Sequence, residues 1–307
     1  MTIKFDTVKV GFESPDLHKK IQIALANIPV WISNIESSYL EKPNHTKERL
    51  KPISELLNSV SRWHGSNGEK IDLLIFPEVS IPHAWESMIV AWARKHHIGV
   101  ICGLEHNVVA GIAYNDILAA LPFKTTSKHW ACVPIRRTKR IYSPNETFVL
   151  ENEGLQVPST KDKYHLFQWR GASFAIYNCY ELASIEDRTI FKGKVDFIVG
   201  SEYNRDVSYF SNIVESVSRD LHCFVVQVNG SQYGDSRVVS PSSSEKMNPL
   251  GIKGGDNLTF LTMSLNLKSL RNHQRKGYGL QKDSDDFKPT PPGLDIKDVK
   301  ARINLGK

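Results

Sequence analysis

One short stretch near the middle of the chain constrains the fold more than any other. Residues 172–181 read Ala-Ser-Phe-Ala-Ile-Tyr-Asn-Cys-Tyr-Glu. The apolar run from Phe174 to Tyr177 is rich in strand-forming residues and predicts a buried strand. Cys179 stands at the end of that strand, and residues 185–193 are typical of a helix with acidic and basic side chains. A cysteine at such a turn lies near backbone amides, which lower a thiol pKa and can hold an oxyanion.

Further strands and three amphipathic helices surround this stretch in the sequence. The helices are predicted from apolar residues at helical spacing, near 50–60, 85–93 and 213–221. The strands are predicted near 8–12, 21–28, 71–76, 97–104, 114–121, 129–134, 164–169, 195–200, 223–228, 237–240 and 258–267. Buried strands interrupted by helices and hairpins predict an α/β layered fold.

Domain organisation follows from where the apolar pattern ends. A polar connection is predicted after the strand near 21–28, and loops are predicted at 240–244 and 251–255. Residues 271–307 gain charge, proline and glycine. We therefore expect one domain over residues 1–270, followed by a surface arm or a disordered tail over 271–307.

Composition limits the classes of protein that fit. The chain has 307 residues and four widely spaced cysteines without a Cys-x-x-Cys pair, so neither a zinc knuckle nor a redox dithiol is indicated. No stretch approaches ~20 apolar residues, and the N-terminus has no apolar signal region, so we expect a cytoplasmic protein with no membrane partner. The net charge of +6 is compatible with a nucleic-acid partner but does not establish one.

Two other strand ends carry residues that could work with the cysteine. A strand runs through Phe76 and Pro77 into Glu78. Lys139 follows another strand, and Glu146 comes seven residues later. Each has a plainer interpretation: Glu78 could cap a helix, Glu146 could be an exposed loop residue, and Lys139 could be one solvated cation in the cluster 136–140. Cys179 itself could be a small core residue.

Glutamate, lysine and cysteine in this order, each at a strand end, resemble the carbon–nitrogen hydrolase (nitrilase) superfamily. The resemblance runs from about residue 21 to residue 267. It also includes an asparagine in a hairpin, an arginine after the cysteine, and a late arginine before a strand and turn, which are Asn115, Arg188 and Arg219. The resemblance implies a four-layer αββα sandwich, in which helices cover two packed sheets.

The resemblance also implies a catalytic role for each residue. Cys179 would be the nucleophile and Glu78 the general base. Lys139 would face the oxyanion together with the backbone N–H of Tyr180. Glu146 would orient Lys139 or the substrate. The reaction would pass through a thioester that water hydrolyses, and it would need no metal and no organic cofactor.

The residue after the cysteine bears on the substrate. Nitrile-cleaving members usually carry tryptophan where this chain has Tyr180, so we expect a small amide or carbamoyl substrate. Tyr142, Glu202 and Tyr203 are the predicted substrate-binding residues. Replacement of Arg137 or Arg140 by alanine is expected to change kcat little, in contrast to replacement of Lys139. The resemblance further implies a homodimer or a larger homo-oligomer.

A second class of function stays open at this stage. Divergent nitrilase-like domains occur as binding or regulatory modules of larger bacterial systems, such as reverse-transcriptase-associated phage defence. The basic tail, the high pI of about 9.0 and the poorer match after Gly230 are compatible with that alternative. The intact set of glutamate, lysine and cysteine favours catalysis.

Overall fold

Two β-sheets pack face to face in the computed structural model, which describes residues 3–11 and 20–303. The strands are β1 Phe5–Val10, β2 Ile21–Asn27, β3 Leu73–Ile75, β4 Gly99–Gly103, β5 Asn107–Val109, β6 Ile112–Tyr114, β7 Asp116–Lys124, β8 Trp130–Thr138, β9 Tyr164–Trp169, β10 Ala172–Asn178, β11 Phe197–Glu202, β12 Phe224–Asn229, β13 Ser236–Val239, β14 Leu250–Ile252 and β15 Thr259–Leu265. One sheet has the order β1-β9-β10-β11-β12-β13-β14, and the other has the order β15-β2-β3-β4-β7-β8. Strands β5 and β6 form a separate hairpin.

Helices lie in the connections between these strands. The α-helices are α1 Ile32–Tyr39, α2 Lys47–Arg62, α3 Glu86–His96, α4 Pro144–Asn152, α5 Ile185–Thr189, α6 Val207–Leu221, α7 Leu267–Gln274, α8 Tyr278–Lys282 and α9 Ile296–Ile303. Short 3-10 helices occupy His83–Trp85 and Cys179–Ala183.

The central core lies between the two sheets. Strand β2 shows how the sequence builds it, because all seven of its residues are buried. Ile23 and Leu25 point toward the other sheet, where they join one apolar cluster with Phe174 and Phe197. Ala24 points the opposite way, toward the helices. A strand covered on both faces needs apolar residues at consecutive positions, as the sequence has here.

The outer layers are formed by the amphipathic helices. Leu56 of α2 and Ile89 of α3 pack in one cluster with the outer face of the six-stranded sheet. Val214 and Val217 of α6 pack in another cluster with the outer face of the seven-stranded sheet. The order helix, sheet, sheet, helix confirms the predicted αββα sandwich.

Some local predictions differ from the structure. The predicted polar connection after β2 contains α1, and the segment after Lys139 contains α4. Strand β14 lies partly in a region that was predicted to be a loop. The predicted edge strand from Val8 to Phe12 corresponds in part to β1, and Phe12 lies outside the described residues.

The segment after residue 270, expected to be a surface arm or disordered, packs on the body of the protein. Its anchor is Asp196, which is fully buried just before β11. Asp196 Oδ1 accepts hydrogen bonds from Arg271 Nε at 2.7 Å and from Arg302 Nη1 at 2.6 Å. Both arginines are less than 5% exposed. Charge pairing, which apolar periodicity does not reveal, therefore holds this segment in place. None of the described helices is long and apolar enough to cross a membrane.

Replacing Asp196 tests this anchor. Asp196→Asn leaves two buried guanidinium groups without their carboxylate, so we expect the free energy of unfolding to fall by about 3–5 kcal/mol. The control is Asp298→Asn, which removes a more accessible ion pair, to Lys194 at 2.7 Å with both side chains about one-third exposed, and should cost about 0–1 kcal/mol. Urea denaturation measures both variants. Equal losses would contradict the anchoring role of Asp196.

Candidate active site

Three strand ends meet at one edge of the sandwich. Glu78 follows β3 after two residues, and Lys139 follows β8 directly. These two strands belong to the six-stranded sheet and run in the same direction, so their carboxyl ends lie on the same side. Cys179 follows β10 of the other sheet. The three side chains, together with Glu146 of α4, line a cavity of about 620 Å³.

A buried ionic cluster forms the centre of the site. Lys139 Nζ lies 2.7 Å from Glu78 Oε1 and 2.6 Å from Glu146 Oε2. The side-chain amide of Asn115 donates to the same two carboxylates, at 2.9 Å to Glu78 and 2.8 Å to Glu146. Glu78 and Lys139 are 3% and 4% exposed, which is low enough that each charge needs a partner.

The electrostatics of the cluster keep Lys139 and Glu146 charged. Burial disfavours the Lys139 ammonium, but Glu146 and Glu78 outweigh burial and hold the pKa of Lys139 well above its usual value. Burial also disfavours the Glu146 carboxylate, but Lys139 and His106 hold the pKa of Glu146 well below its usual value. At neutral pH the ammonium therefore faces an ionised Glu146.

The backbone and the surroundings of Cys179 are both unusual. Its φ is +46°, in the left-handed region that residues other than glycine seldom adopt, and this turn directs the residue into the cavity. Burial, followed by the charge of Glu78, raises the pKa of the thiol well above its usual value, although Lys139 acts in the opposite direction. The expectation of a lowered pKa was wrong, because burial outweighs the nearby amides. The resting group is a thiol.

A strained turn positions Glu78. The next residue, Val79, has a φ of +47°, which is strained for a β-branched side chain. Gly103 of β4 lies against this turn, where an added Cβ would be 2.4 Å from the Cα of Glu78. Only glycine permits that approach. The other carboxylate oxygen of Glu78, Oε2, accepts a hydrogen bond from the backbone N–H of Tyr203 at 3.1 Å.

A second buried ion pair joins the lysine segment to the cysteine turn. Arg137 donates to Glu181 through both terminal nitrogens, at 2.6 Å and 2.7 Å. Glu181 also accepts from the backbone N–H groups of Arg140 at 2.6 Å and Asn178 at 2.7 Å. Arg137 is 4% exposed and is part of this framework, a structural role that the sequence did not indicate. Arg136 next to it has a side chain that is 53% exposed.

Two residues near the cluster were not predicted as site residues. Asn115 had been identified only as a hairpin asparagine, yet it bridges Glu78 and Glu146. His106 lines the cavity, and its Nε2 lies 3.4 Å from Glu146 Oε1. No local motif marks His106, because only the fold brings it to α4. The helix that carries Glu146 did have a signal, since Ser143 caps it by accepting from the Glu146 N–H at 3.1 Å.

The three predicted substrate-binding residues differ in whether they line the cavity. Tyr203 lines the cavity. Glu202 is fully buried, its Oε2 accepts from Gln227 at 2.9 Å, and burial raises its pKa to about 8. The hydroxyl of Tyr142 makes two hydrogen bonds to the backbone. It accepts one from the Asn115 N–H at 2.8 Å and donates one to the Ala113 carbonyl at 3.0 Å. Glu202 and Tyr142 are not among the residues that line the cavity, and internal hydrogen bonds hold their polar groups.

The site contains no obvious metal centre. Among residues 3–11 and 20–303, no group of three or more histidine, cysteine, aspartate or glutamate side chains is arranged to hold a metal ion. The groups at the centre of the site are one thiol, one ammonium and two carboxylates, those of Cys179, Lys139, Glu78 and Glu146.

Solved structures share this fold. One is a mutant of the amidase from Nesterenkonia sp. AN1, with the acetamide moiety of fluoroacetamide added covalently at the active-site cysteine. It is 14% identical, with a TM-score of 0.56 over 86% of this chain and 96% of that chain. A CN-hydrolase superfamily protein from Xanthomonas campestris, with an arsenic adduct in its active site, is 15% identical, with a TM-score of 0.55 over 87% and 98%. A variant of the same amidase in complex with butyramide has a TM-score of 0.55 at 14% identity, over 86% of this chain and 96% of that chain. No family model and no curated protein matches the sequence. The chain thus has the fold of the nitrilase superfamily.

Neighbouring arginines provide a test of the framework ion pair. Arg137→Ala leaves the buried Glu181 carboxylate without its guanidinium, so we expect the free energy of unfolding to fall by about 3–5 kcal/mol. Arg136→Ala removes an exposed partner of Glu86 and should change it by less than about 1 kcal/mol. Thermal or urea denaturation distinguishes the two. A loss in Arg137→Ala no larger than in Arg136→Ala would refute the framework role.

Proposed function

We propose that this chain hydrolyses the carbon–nitrogen bond of an amide or carbamoyl compound, through a thioester on Cys179. One observation carries the proposal. Lys139 donates hydrogen bonds to Glu78 at 2.7 Å and to Glu146 at 2.6 Å, and these three side chains line the same cavity as Cys179. The shared fold with amidases that react covalently at a cysteine supports it.

In the first half of the reaction, the thiol adds to the substrate carbonyl. Glu78 takes the proton from Cys179 as the new S–C bond forms, and the carbonyl oxygen becomes an oxyanion. Lys139 and the backbone N–H of Tyr180, in the first turn of the 3-10 helix, stabilise that oxyanion. The C–N bond then breaks, and Glu78 gives its proton to the leaving nitrogen.

In the second half, water hydrolyses the thioester. Glu78 takes a proton from the water as its oxygen attacks the carbonyl carbon, and the same donors hold the second oxyanion. The C–S bond breaks, the proton on Glu78 returns to the sulfur, and the acid leaves. Glu146 keeps the Lys139 ammonium in position during both halves.

Variants of Cys179 and Lys139 test the assignments. Cys179→Ala should abolish ammonia release from a panel of amides and carbamoyl compounds, and Cys179→Ser should be nearly inactive. Lys139→Ala and Lys139→Arg should each lower kcat at least ~100-fold, as expected for the loss of an oxyanion donor. Retention of most activity in Cys179→Ala would exclude it as the nucleophile. Nitriles cleaved tenfold faster than amides would exclude the amide preference.

Labelling with iodoacetamide tests whether Glu78 activates the thiol. Cys179 lines the cavity, whereas Cys102 and Cys223 are completely buried. Cys132 is half-buried, and burial raises its pKa to about 11. We expect the first alkylation to occur at Cys179 and to slow at least tenfold in Glu78→Gln, while Cys132 labels at the same slow rate in both proteins. Peptide mass spectrometry measures each site. Equal rates at Cys179 in both proteins would contradict the role of Glu78.

A further inference from the structure

Most of the apolar side chains that line the catalytic cavity come from two helices and form its apolar wall. Helix α1 supplies Ile32, Ile35 and Tyr39, and helix α4 supplies Val149 and Leu150. The exposed carboxylate of Glu36 on α1 also lines the cavity. Ile32 remains 48% exposed at the rim, so apolar surface continues from the cavity to the outside. Such a wall favours an apolar group of the ligand, because burial of that group removes apolar area from water.

A second wall of the cavity is polar. It consists of four consecutive residues between β11 and α6, Tyr203 to Asp206. Arg205 and Asp206 are exposed and carry opposite charges. The Tyr203 hydroxyl accepts a hydrogen bond from Tyr233 at 3.1 Å, and Arg205 Nε donates to Tyr233 at 2.9 Å. This wall offers charged groups and hydrogen-bonding groups to a ligand.

The hydrogen bonds of Glu78 indicate which side of the substrate faces each wall. Its Oε1 is held by Lys139 and by Asn115, whereas its Oε2 accepts the backbone N–H of Tyr203. Oε2 is therefore the oxygen better placed to take a proton and to pass it to the leaving nitrogen. Protonation by Oε2 would place the leaving nitrogen next to Tyr203, which leaves the acyl group to extend toward α1 and α4.

We infer that the substrate is an amide whose acyl part is an extended apolar group of about six or more carbon atoms, bound between α1 and α4. The inference rests on the proposed function and adds the substrate class. The cavity volume of about 620 Å³ supports it, since pockets of roughly 300–1,000 Å³ enclose drug-sized ligands. An amide of two or three carbons would leave most of that space, and the apolar wall, uncovered.

Two series of substrates test the inference. The first series lengthens the acyl chain of a primary amide, from acetamide through hexanamide to octanamide. The second lengthens the nitrogen substituent, from N-methylacetamide to N-hexylacetamide. We expect kcat/KM to rise about threefold to fourfold for each methylene in the acyl series, the factor for burying one CH₂ group. The nitrogen series should stay within about threefold.

Variants on α4 and α1 locate the binding surface. Val149→Asn places a polar group on the apolar wall and should lower the ratio of kcat/KM for octanamide to that for acetamide about tenfold. The matched control is Phe148→Asn on the same helix, because Phe148 is 62% exposed and lies outside the cavity lining; its ratio should be unchanged. Ile32→Asn, at the exposed rim, provides a second cavity variant should Val149→Asn fail to fold.

The outcomes separate this inference from the proposed function. A flat acyl series with measurable turnover, or a rise in the nitrogen series instead, would overturn the inference and leave amide hydrolysis in place. A ratio that falls equally in Phe148→Asn and in the cavity variants would also overturn it. Absence of turnover with every amide of both series would overturn this inference, and absence of turnover with the carbamoyl compounds as well would overturn the proposed function.

Discussion

The pairing of one buried ammonium with two carboxylates is the interaction on which the rest of the site depends. Lys139, Glu78 and Glu146 come from the end of β8, the end of β3 and the first turn of α4. A buried charge that loses its partner costs several kcal/mol, so each of the three residues restrains the other two. The requirement for charge balance thereby fixes the relative positions of two strand ends and a helix, which are the positions that the proposed chemistry needs.

Polar contacts also hold the two sheets together at this edge, where the apolar core ends. Glu181, at the turn after β10, binds Arg137 of β8 across the sheets and accepts two backbone N–H groups. Ser201 of β11 donates to the Phe76 carbonyl at 3.0 Å, next to the turn that carries Glu78. Deeper in the sandwich, Ile23 and Phe174 need only apolar contact. The site therefore lies at an edge where polar contacts, in addition to apolar packing, fix the position of one sheet on the other.

The sequence predicted the layers better than it predicted the walls of the cavity. Consecutive apolar residues in β2 and β10, and helical spacing in α2, specify burial locally, so these elements could be identified from the pattern. Glu78, Lys139, Cys179 and Glu146 could be identified because their order resembles a known family. Helix α1 is only eight residues long and has no side-chain N-cap bond, and it was missed. The positions of Glu202, His106 and Arg137 depend on contacts between residues distant in sequence, which no local pattern encodes.

Conservation of charge explains how a cysteine with a raised pKa can serve as the nucleophile in the proposed reaction. Creating a free thiolate would add a second uncompensated negative charge to a buried site that already holds Glu78, Glu146 and one ammonium. Transfer of the proton from Cys179 to Glu78 leaves the total charge unchanged, so the penalty for burying an extra charge does not arise. The transfer also neutralises one of the two partners of Lys139. The ammonium is then less strongly held by Glu78 and can stabilise the oxyanion as it forms, when that stabilisation lowers the barrier.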